Sequence, residues 1–317
     1  MKSCFGFRNL QFDLFDFYMI QPKFLQKNDT IAIVSTARKI TLEEIKPAVD
    51  LLKSWGLKAE IGATIGLEEN QFAGNDAERT ADFQQMLDNP KIRAIWCARG
   101  GYGTVRIIDK LDFSKFKKRP KWIIGYSDVT VLHNHIHNLG FETLHATMPL
   151  DVEKNTQEAL NSLQKCLFGK TISYEIPTSK ENILGTASGE LVGGNLSMLY
   201  SLLGSASTIN TDRKILFIED LDEYLYHIDR MLMNLKRNGY FDTIAGLIVG
   251  GMTAMHDNKI PFGKTAKEII LDHVSEYNFP IVFDFPAGHL NDNRALFFGR
   301  KVNLEVRDNK TQVSFQT

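Results

Sequence analysis

The sequence has little of what holds proteins together outside the cell. Its 317 residues include three cysteines, Cys4, Cys97 and Cys166, widely spaced and without a CxxC pair. That spacing excludes a disulfide framework and a cysteine-built zinc site, and it fits a reducing compartment such as the cytoplasm. No run reaches the roughly 18–20 apolar residues that span a bilayer. The opening stretch MKSCFGFRNLQFDLFDFY is aromatic, but Arg8, Asp13 and Asp16 break it, so it lacks the apolar core of a secretory signal. An excess of one charge is missing too. Lys and Arg total 37 against 38 Asp and Glu, which gives neither nucleic acid nor an anionic membrane an electrostatic reason to bind. Internal repeats and low-complexity tracts are absent.

What remains is a globular composition, 43% hydrophobic and 24% charged, in a chain long enough for two cores. Residues 1–18 read as a disordered or mis-started leader, because a second methionine, Met19, precedes a fresh domain start. Strands and helices then alternate. TIAIVS is a buried strand; Thr41 and Glu44 form a capping box for a helix that Gly56 ends. LKAEIGA, IRAIWCA and WIIG are further strands, with helices over NDAERTADFQQMLDNP and residues 104–111. This pattern predicts an α/β fold with a mainly parallel sheet flanked by helices. The N-terminal domain is placed at 19–165, a polar linker ending in GTASGE at 166–189, and a smaller C-terminal α/β domain at 190–317. In the latter KILFIED, TIAGLIVGG and PIVFDF are strands, and KVNLEV with TQVSFQ is a hairpin.

Ser127, in GYSD after WIIG, is by itself an ordinary helix N-cap. The same turn also projects a hydroxyl at the C-terminal edge of a parallel sheet, with the Asp128 N–H aimed where an oxyanion forms. Gly125 supplies the first glycine of the G-x-S-x-G elbow, but Val129 replaces the second, which disfavours an ordinary α/β-hydrolase. RGGYG is either a tight turn or a second source of oxyanion donors, and Arg106 removes the third glycine a dinucleotide loop needs. FGKT lacks the earlier P-loop glycine and reads as a helix start. On a helix His133 and His137 share a face and His135 does not, so these three do not converge on a metal. Glu219 and Asp220 end KILFIED, and His289 follows a glycine in DFPAGH. Singly, these are solvated loop residues. Together they place a hydroxyl, a carboxylate and an imidazole at strand exits, the set that nucleophilic acyl transfer requires.

RGGYGTVRIID, IIGYSDVTVLH, GGNLSML, FIEDLDEYLYHIDRML and DFPAGH, in this order, resemble the LD-carboxypeptidases, a family that also includes microcin C self-immunity peptidases. The likeness runs over residues 20–306. It implies a two-domain serine peptidase with its site in the interdomain cleft and a Ser127–Glu219–His289 triad, Glu219 being preferred to Glu223. It also implies an oxyanion hole from the N–H groups of Gly101 and Asp128, no metal or other cofactor, and a cytoplasmic homodimer. The implied substrate is a small murein peptide, the tetrapeptide that loses its terminal D-alanine during peptidoglycan recycling. Tyr102, Asn195 and Arg230 are candidate substrate contacts, and Arg99, Arg106 and Arg230 candidate receptors for the terminal carboxylate. LHATMP departs from the family's LHGPM at Ala146 and Thr147, at the pocket wall. The alternatives are a microcin-immunity peptidase cleaving peptidyl-aminoacyl nucleotides, a non-catalytic two-domain ligand-binding protein, and a zinc amidase.

Overall fold

A computed structural model describes residues 19–316; the leader expected at 1–18 lies outside the described residues. The strands of the first half, β1 (Thr30–Val34), β2 (Lys58–Ile61), β3 (Ile92–Cys97), β4 (Trp122–Gly125) and β5 (Thr143–His145), pair in parallel in the order β5-β4-β3-β1-β2. β4 is buried along its whole length and β1 and β3 almost so, as expected of a parallel sheet covered on both faces. Helices α1 (Leu42–Ser54), α2 (Asp76–Asp88), α3 (Ser114–Lys118) and α4 (Thr130–Asn138) connect them. α1 carries the predicted Thr41–Glu44 capping box, and α2 an equivalent one from Asn75 and Glu78.

Residues 104–111 form two 3₁₀ turns, Thr104–Arg106 and Ile108–Lys110, in place of one short helix. Gly103, at φ 152°, sets the chain direction just before them, and a side-chain carboxylate takes the Thr104 N–H. A second departure follows β4: α4 begins only at Thr130, after a 3₁₀ turn at Ser127–Val129.

The chain continues through α5 (Gln157–Leu167), β6 (Ser173–Ile176), β7 (Gly185–Asn195), α6 (Leu196–Leu202), β8 (Ile215–Leu221), α7 (Leu225–Arg237), β9 (Gly246–Thr253), α8 (Ala266–Val274), β10 (Ile281–Val282), β11 (Leu296–Phe298), β12 (Lys301–Val306) and β13 (Thr311–Phe315). A seven-stranded sheet has the order β10-β9-β8-β7-β12-β13-β6. Its β7–β10 portion is parallel, and the β12–β13 hairpin is antiparallel. Residues 166–189, expected to connect the halves, hold the end of α5, all of β6 and the start of β7. The Gly- and Ser-rich GTASGE is half a long strand: it pairs with β12, and a β-carbon on Gly189 would lie 2.6 Å from the Arg213 carbonyl oxygen. FGKT opens α8, which Thr265 caps.

β11, late in the chain, pairs antiparallel with β5 of the first sheet. The crossing segment between β10 and β11 therefore runs from one sheet to the other. A shared core follows, in which Trp122 and Leu144 of the first sheet join Phe217, Phe297 and Val302. Among the described residues no helix is long and apolar enough to cross a membrane.

Glu142 before β5 and Arg300 after β11 fasten this junction with hydrogen bonds of 2.5 and 3.1 Å, and the guanidinium lies 3.6 Å over the Phe297 ring. Both side chains are nearly buried. Removing one partner strands the other charge, so Glu142→Ala is expected to cost about 3–5 kcal/mol by chemical denaturation. The Glu142→Leu/Arg300→Met pair is expected to lose less; a larger loss in the double variant would contradict this account.

Candidate active site

The WIIG strand delivers the chain to Gly125, where φ is 156° and a β-carbon would lie 2.8 Å from the Val129 side chain. Branched Val129 thus fits because its neighbour has no side chain. Two residues on, Ser127 has φ 63°, a conformation that costs a non-glycine residue free energy and clusters at functional turns. Its hydroxyl caps no helix: neither the 3₁₀ turn nor α4 has a side-chain cap. Ser127 Oγ lies instead 3.1 Å from His289 Nε2.

The imidazole is held from every side. His289 Nδ1–H donates to Glu219 Oε2 at 2.6 Å, and the His289 backbone N–H donates to the same oxygen at 3.1 Å. This leaves Nε2 as the acceptor that faces the serine hydroxyl. Gly288 makes the approach possible: its φ is 100°, and a β-carbon there would lie 2.6 Å from Glu219 Oε2. The Gly288 N–H donates to Asn293 Oδ1 at 2.9 Å, Thr253 Oγ1–H donates to the His289 carbonyl at 2.9 Å, and the Tyr126 ring packs edge-on at 4.9 Å. Burial pulls the His289 pKa down, but the charge and hydrogen bond of Glu219, helped by Asp220 and Asp151, outweigh it and raise the value above that of an ordinary imidazole.

Glu219 is wholly buried on β8. Its neighbours have different partners. Glu223 Oε2 lies 2.6 Å from His227 Nδ1, while Asp220 accepts from Asn195 Nδ2 and the Ser197 N–H at the start of α6. Burial, with the charge of Glu219 adding to it, pushes the Asp220 carboxyl up to about 7.

The RGGYG loop leaves β3 and folds over Ser127. A β-carbon on Gly100 would lie 3.0 Å from Ser127 Oγ and 3.4 Å from the Asp128 nitrogen, so the chain at Gly100 borders the serine. The Asp128 N–H stands in the first turn, where no intrahelical carbonyl is available. The Asp128 side chain, buried and with its pKa raised by that burial, accepts the Thr104 N–H at 2.8 Å and ties the loop to the Ser127 turn. Buried Arg79 braces the loop from below, donating to the carbonyls of Thr36 at 2.7 Å and Gly103 at 3.0 Å.

The remaining sequence candidates are more dispersed. Asn195 caps α6 through Oδ1 and spends Nδ2 on Asp220, so its side chain serves the packing of β7, α6 and β8. Tyr102 is exposed, with its ring 6.1 Å from Phe72. Arg230 lies exposed on α7, its guanidinium 5.4 Å from the Tyr226 ring centre. The three histidines of α4 go separate ways. His133 donates from Nε2 to the Gly125 carbonyl at 2.9 Å, with burial lowering its pKa to about 4; His135 faces Ser207, and His137 lies 3.9 Å from Glu190. Sequence reasoning missed Tyr126, Asp151, Thr253 and Asn293. Of these only Tyr126, inside the GYSD turn, carried a positional signal.

An acceptor imidazole between a serine hydroxyl and a buried carboxylate, beside backbone N–H groups, is equipped for nucleophilic acyl transfer. The comparisons agree in kind. The LD-carboxypeptidase N-terminal domain profile matches residues 31–146, and the C-terminal domain profile residues 188–304. A probable murein peptide carboxypeptidase of Bacillus subtilis is 36% identical over 92% of this chain and 93% of its own length. The crystal structure of a muramoyltetrapeptide carboxypeptidase from Oxalobacter formigenes superposes with a TM-score of 0.82 at 26% identity, covering 91% of this chain and 99% of that one. The microcin C7 self-immunity protein of Escherichia coli is 25% identical over 90% of this chain and 93% of its own length. The chain belongs to the LD-carboxypeptidase family, and with it to the serine-type carboxypeptidases.

Because Gly288 lets the histidine reach the acid, Gly288→Ala is expected to displace His289 from Glu219. The expected result is a stability loss of about 1–3 kcal/mol and a drop in turnover of at least about a hundredfold. Unchanged kinetics with unchanged melting would show that the close approach is not required.

Proposed function

We propose that this protein is a serine LD-carboxypeptidase that removes the terminal D-alanine of murein tetrapeptide in peptidoglycan recycling. The observation that carries the reading is His289 poised between Ser127 Oγ and Glu219. His289 Nε2 takes the hydroxyl proton as Ser127 Oγ attacks the carbonyl carbon of the third residue. The Asp128 and Gly101 N–H groups receive the oxyanion. Imidazolium, stabilised by Glu219, then gives its proton to the departing D-alanine nitrogen as the C–N bond breaks. Water, deprotonated by the same imidazole, cleaves the ester and restores the serine. Identity of 36% to the probable murein peptide carboxypeptidase, against 25% to the microcin self-immunity protein, supports the murein substrate. A cytoplasmic setting and a homodimer belong to the same proposal and are supported by family resemblance.

The test is D-alanine release from L-Ala-γ-D-Glu-meso-diaminopimelate-D-Ala with chelator present. Wild type is expected to release it. Ser127→Ala and His289→Ala are expected to lose about 10⁴-fold or more, and the double variant little beyond that, because the groups act as one unit. Additive losses, or release by Ser127→Ala, would contradict the mechanism.

The raised His289 pKa sets the pH dependence. A base must be unprotonated, so kcat/KM is expected to fall as pH drops through the folded-state value, with a midpoint above that of an ordinary imidazole. Glu219→Gln removes the charge that raises it, so the midpoint is expected to move to lower pH while turnover falls. A profile flat from pH 5 to 8 would exclude His289 as the base.

A further inference from the structure

A carboxypeptidase must hold the free carboxylate of its substrate, and of the three arginines that the sequence suggests, Arg106 is engaged by a carboxylate while Arg99 and Arg230 make one contact each. Arg106 forks onto both oxygens of Asp76, at 2.9 and 3.2 Å from Nε and 2.9 Å from Nη2. Arg99 donates from Nη1 to the Lys39 carbonyl, and Arg230 rests on Tyr226. Geometry limits where the receptor can stand. The scissile carbonyl and the terminal carboxylate are one residue apart, about 3.5 Å along an extended chain. The cation must therefore lie close to the nucleophile.

Arg38 meets that requirement. It sits on the loop leaving β1, and the strand order β4-β3-β1 sets that loop beside RGGYG at the C-terminal edge of the sheet, where open α/β folds bind ligands. Its Cγ, Cδ and Nε run across the α-carbon of Gly101, where a β-carbon would lie 2.6–2.8 Å from all three atoms and φ is 110°. Gly100, the preceding residue, is the one on which a β-carbon would lie 3.0 Å from Ser127 Oγ. The neighbouring Lys39 is paired with Glu68. Arg38 is exposed, and among the described residues its guanidinium has no hydrogen-bond or ion-pair partner. Its aliphatic stem is held in place by the loop, and its planar fork is free to take a carboxylate by two parallel hydrogen bonds.

We propose that Arg38 is the receptor for the terminal carboxylate of the peptide, and so the residue that makes this serine peptidase an exopeptidase. The inference rests on the substrate reading above. Gly101 gains a second purpose: its missing side chain gives the arginine its path to the site.

The experiment compares kcat/KM for the tetrapeptide and for the same peptide ending in D-alaninamide, in wild type, Arg38→Ala and Arg38→Lys. Wild type is expected to prefer the free acid strongly. Arg38→Ala is expected to lose about a hundredfold on the acid, mostly in KM, bringing the acid-to-amide ratio to within a few-fold of one. Arg38→Lys is expected to fall between, since an ammonium keeps the charge without the fork. A preference for the acid that survives in Arg38→Ala, or equal losses on both substrates, would overturn the assignment. A wild type inactive on both peptides would instead defeat the substrate reading, and this inference with it. Melting curves check the fold, which an exposed side chain should leave intact.

Discussion

The contact on which the rest of the structure turns is that between the Glu219 carboxylate and His289. A carboxylate with no solvent exposure, on a strand whose one other polar residue is Asp220, is costly unless it is paired and hydrogen-bonded. The compensation comes from the ring and the backbone N–H of one residue, His289, which stands on the segment that crosses from β10 of one sheet to β11 of the other. That segment is pinned along its length. The Thr156 N–H donates to the Asn291 carbonyl, the Ala295 N–H to Ser162 Oγ, and the Tyr174 hydroxyl to the Ala295 carbonyl. The charge in the second sheet is thus paired, through Oε2 alone, by a strap whose far end is a strand of the first, while among the described residues Oε1 has no hydrogen-bond partner.

The serine arrives from the first sheet under strain, and the strain is also held across the junction. Thr130 Oγ1, at the start of α4, accepts the Asn195 N–H at 3.0 Å, and a β-carbon on Gly194 would lie 2.5 Å from that oxygen. A side chain on Gly193 would run into the Phe217 carbonyl. The two glycines before Asn195 therefore let β7 approach both β8 and α4 closely. Asn195 itself caps α6 and, through Nδ2, hydrogen-bonds Asp220. What reads in the sequence as a possible ligand contact is the seam that keeps serine and acid in register.

Most of the fold was legible because it is local. Capping boxes at Thr41 and Thr265, the buried runs of β1, β3, β4 and β8, and the alternation in β12 and β13 all announce themselves within a few residues. The region 166–189, read as a polar linker from its composition, holds the end of α5, β6 and the start of β7. Glycine and serine in GTASGE signal close backbone approach as readily as a flexible connection, and only the neighbouring strand and the Arg213 carbonyl distinguish the two. The 3₁₀ turns at 104–110 depend on Asp128, distant in sequence, for the same reason.

The sequence by itself determined the α/β alternation and the chemical types at the strand exits, including a serine on a glycine-led turn, a carboxylate pair and a histidine after glycine. Periodicity and turn chemistry are written over short spans. Only the tertiary structure decided that Glu219 meets His289 while Glu223 meets His227, that Ser127 faces an imidazole 162 residues away, and that Arg38 lies across Gly101. Those outcomes follow from strand order and from a crossing segment between two sheets, which bring into contact residues whose separation along the chain carries no distance information.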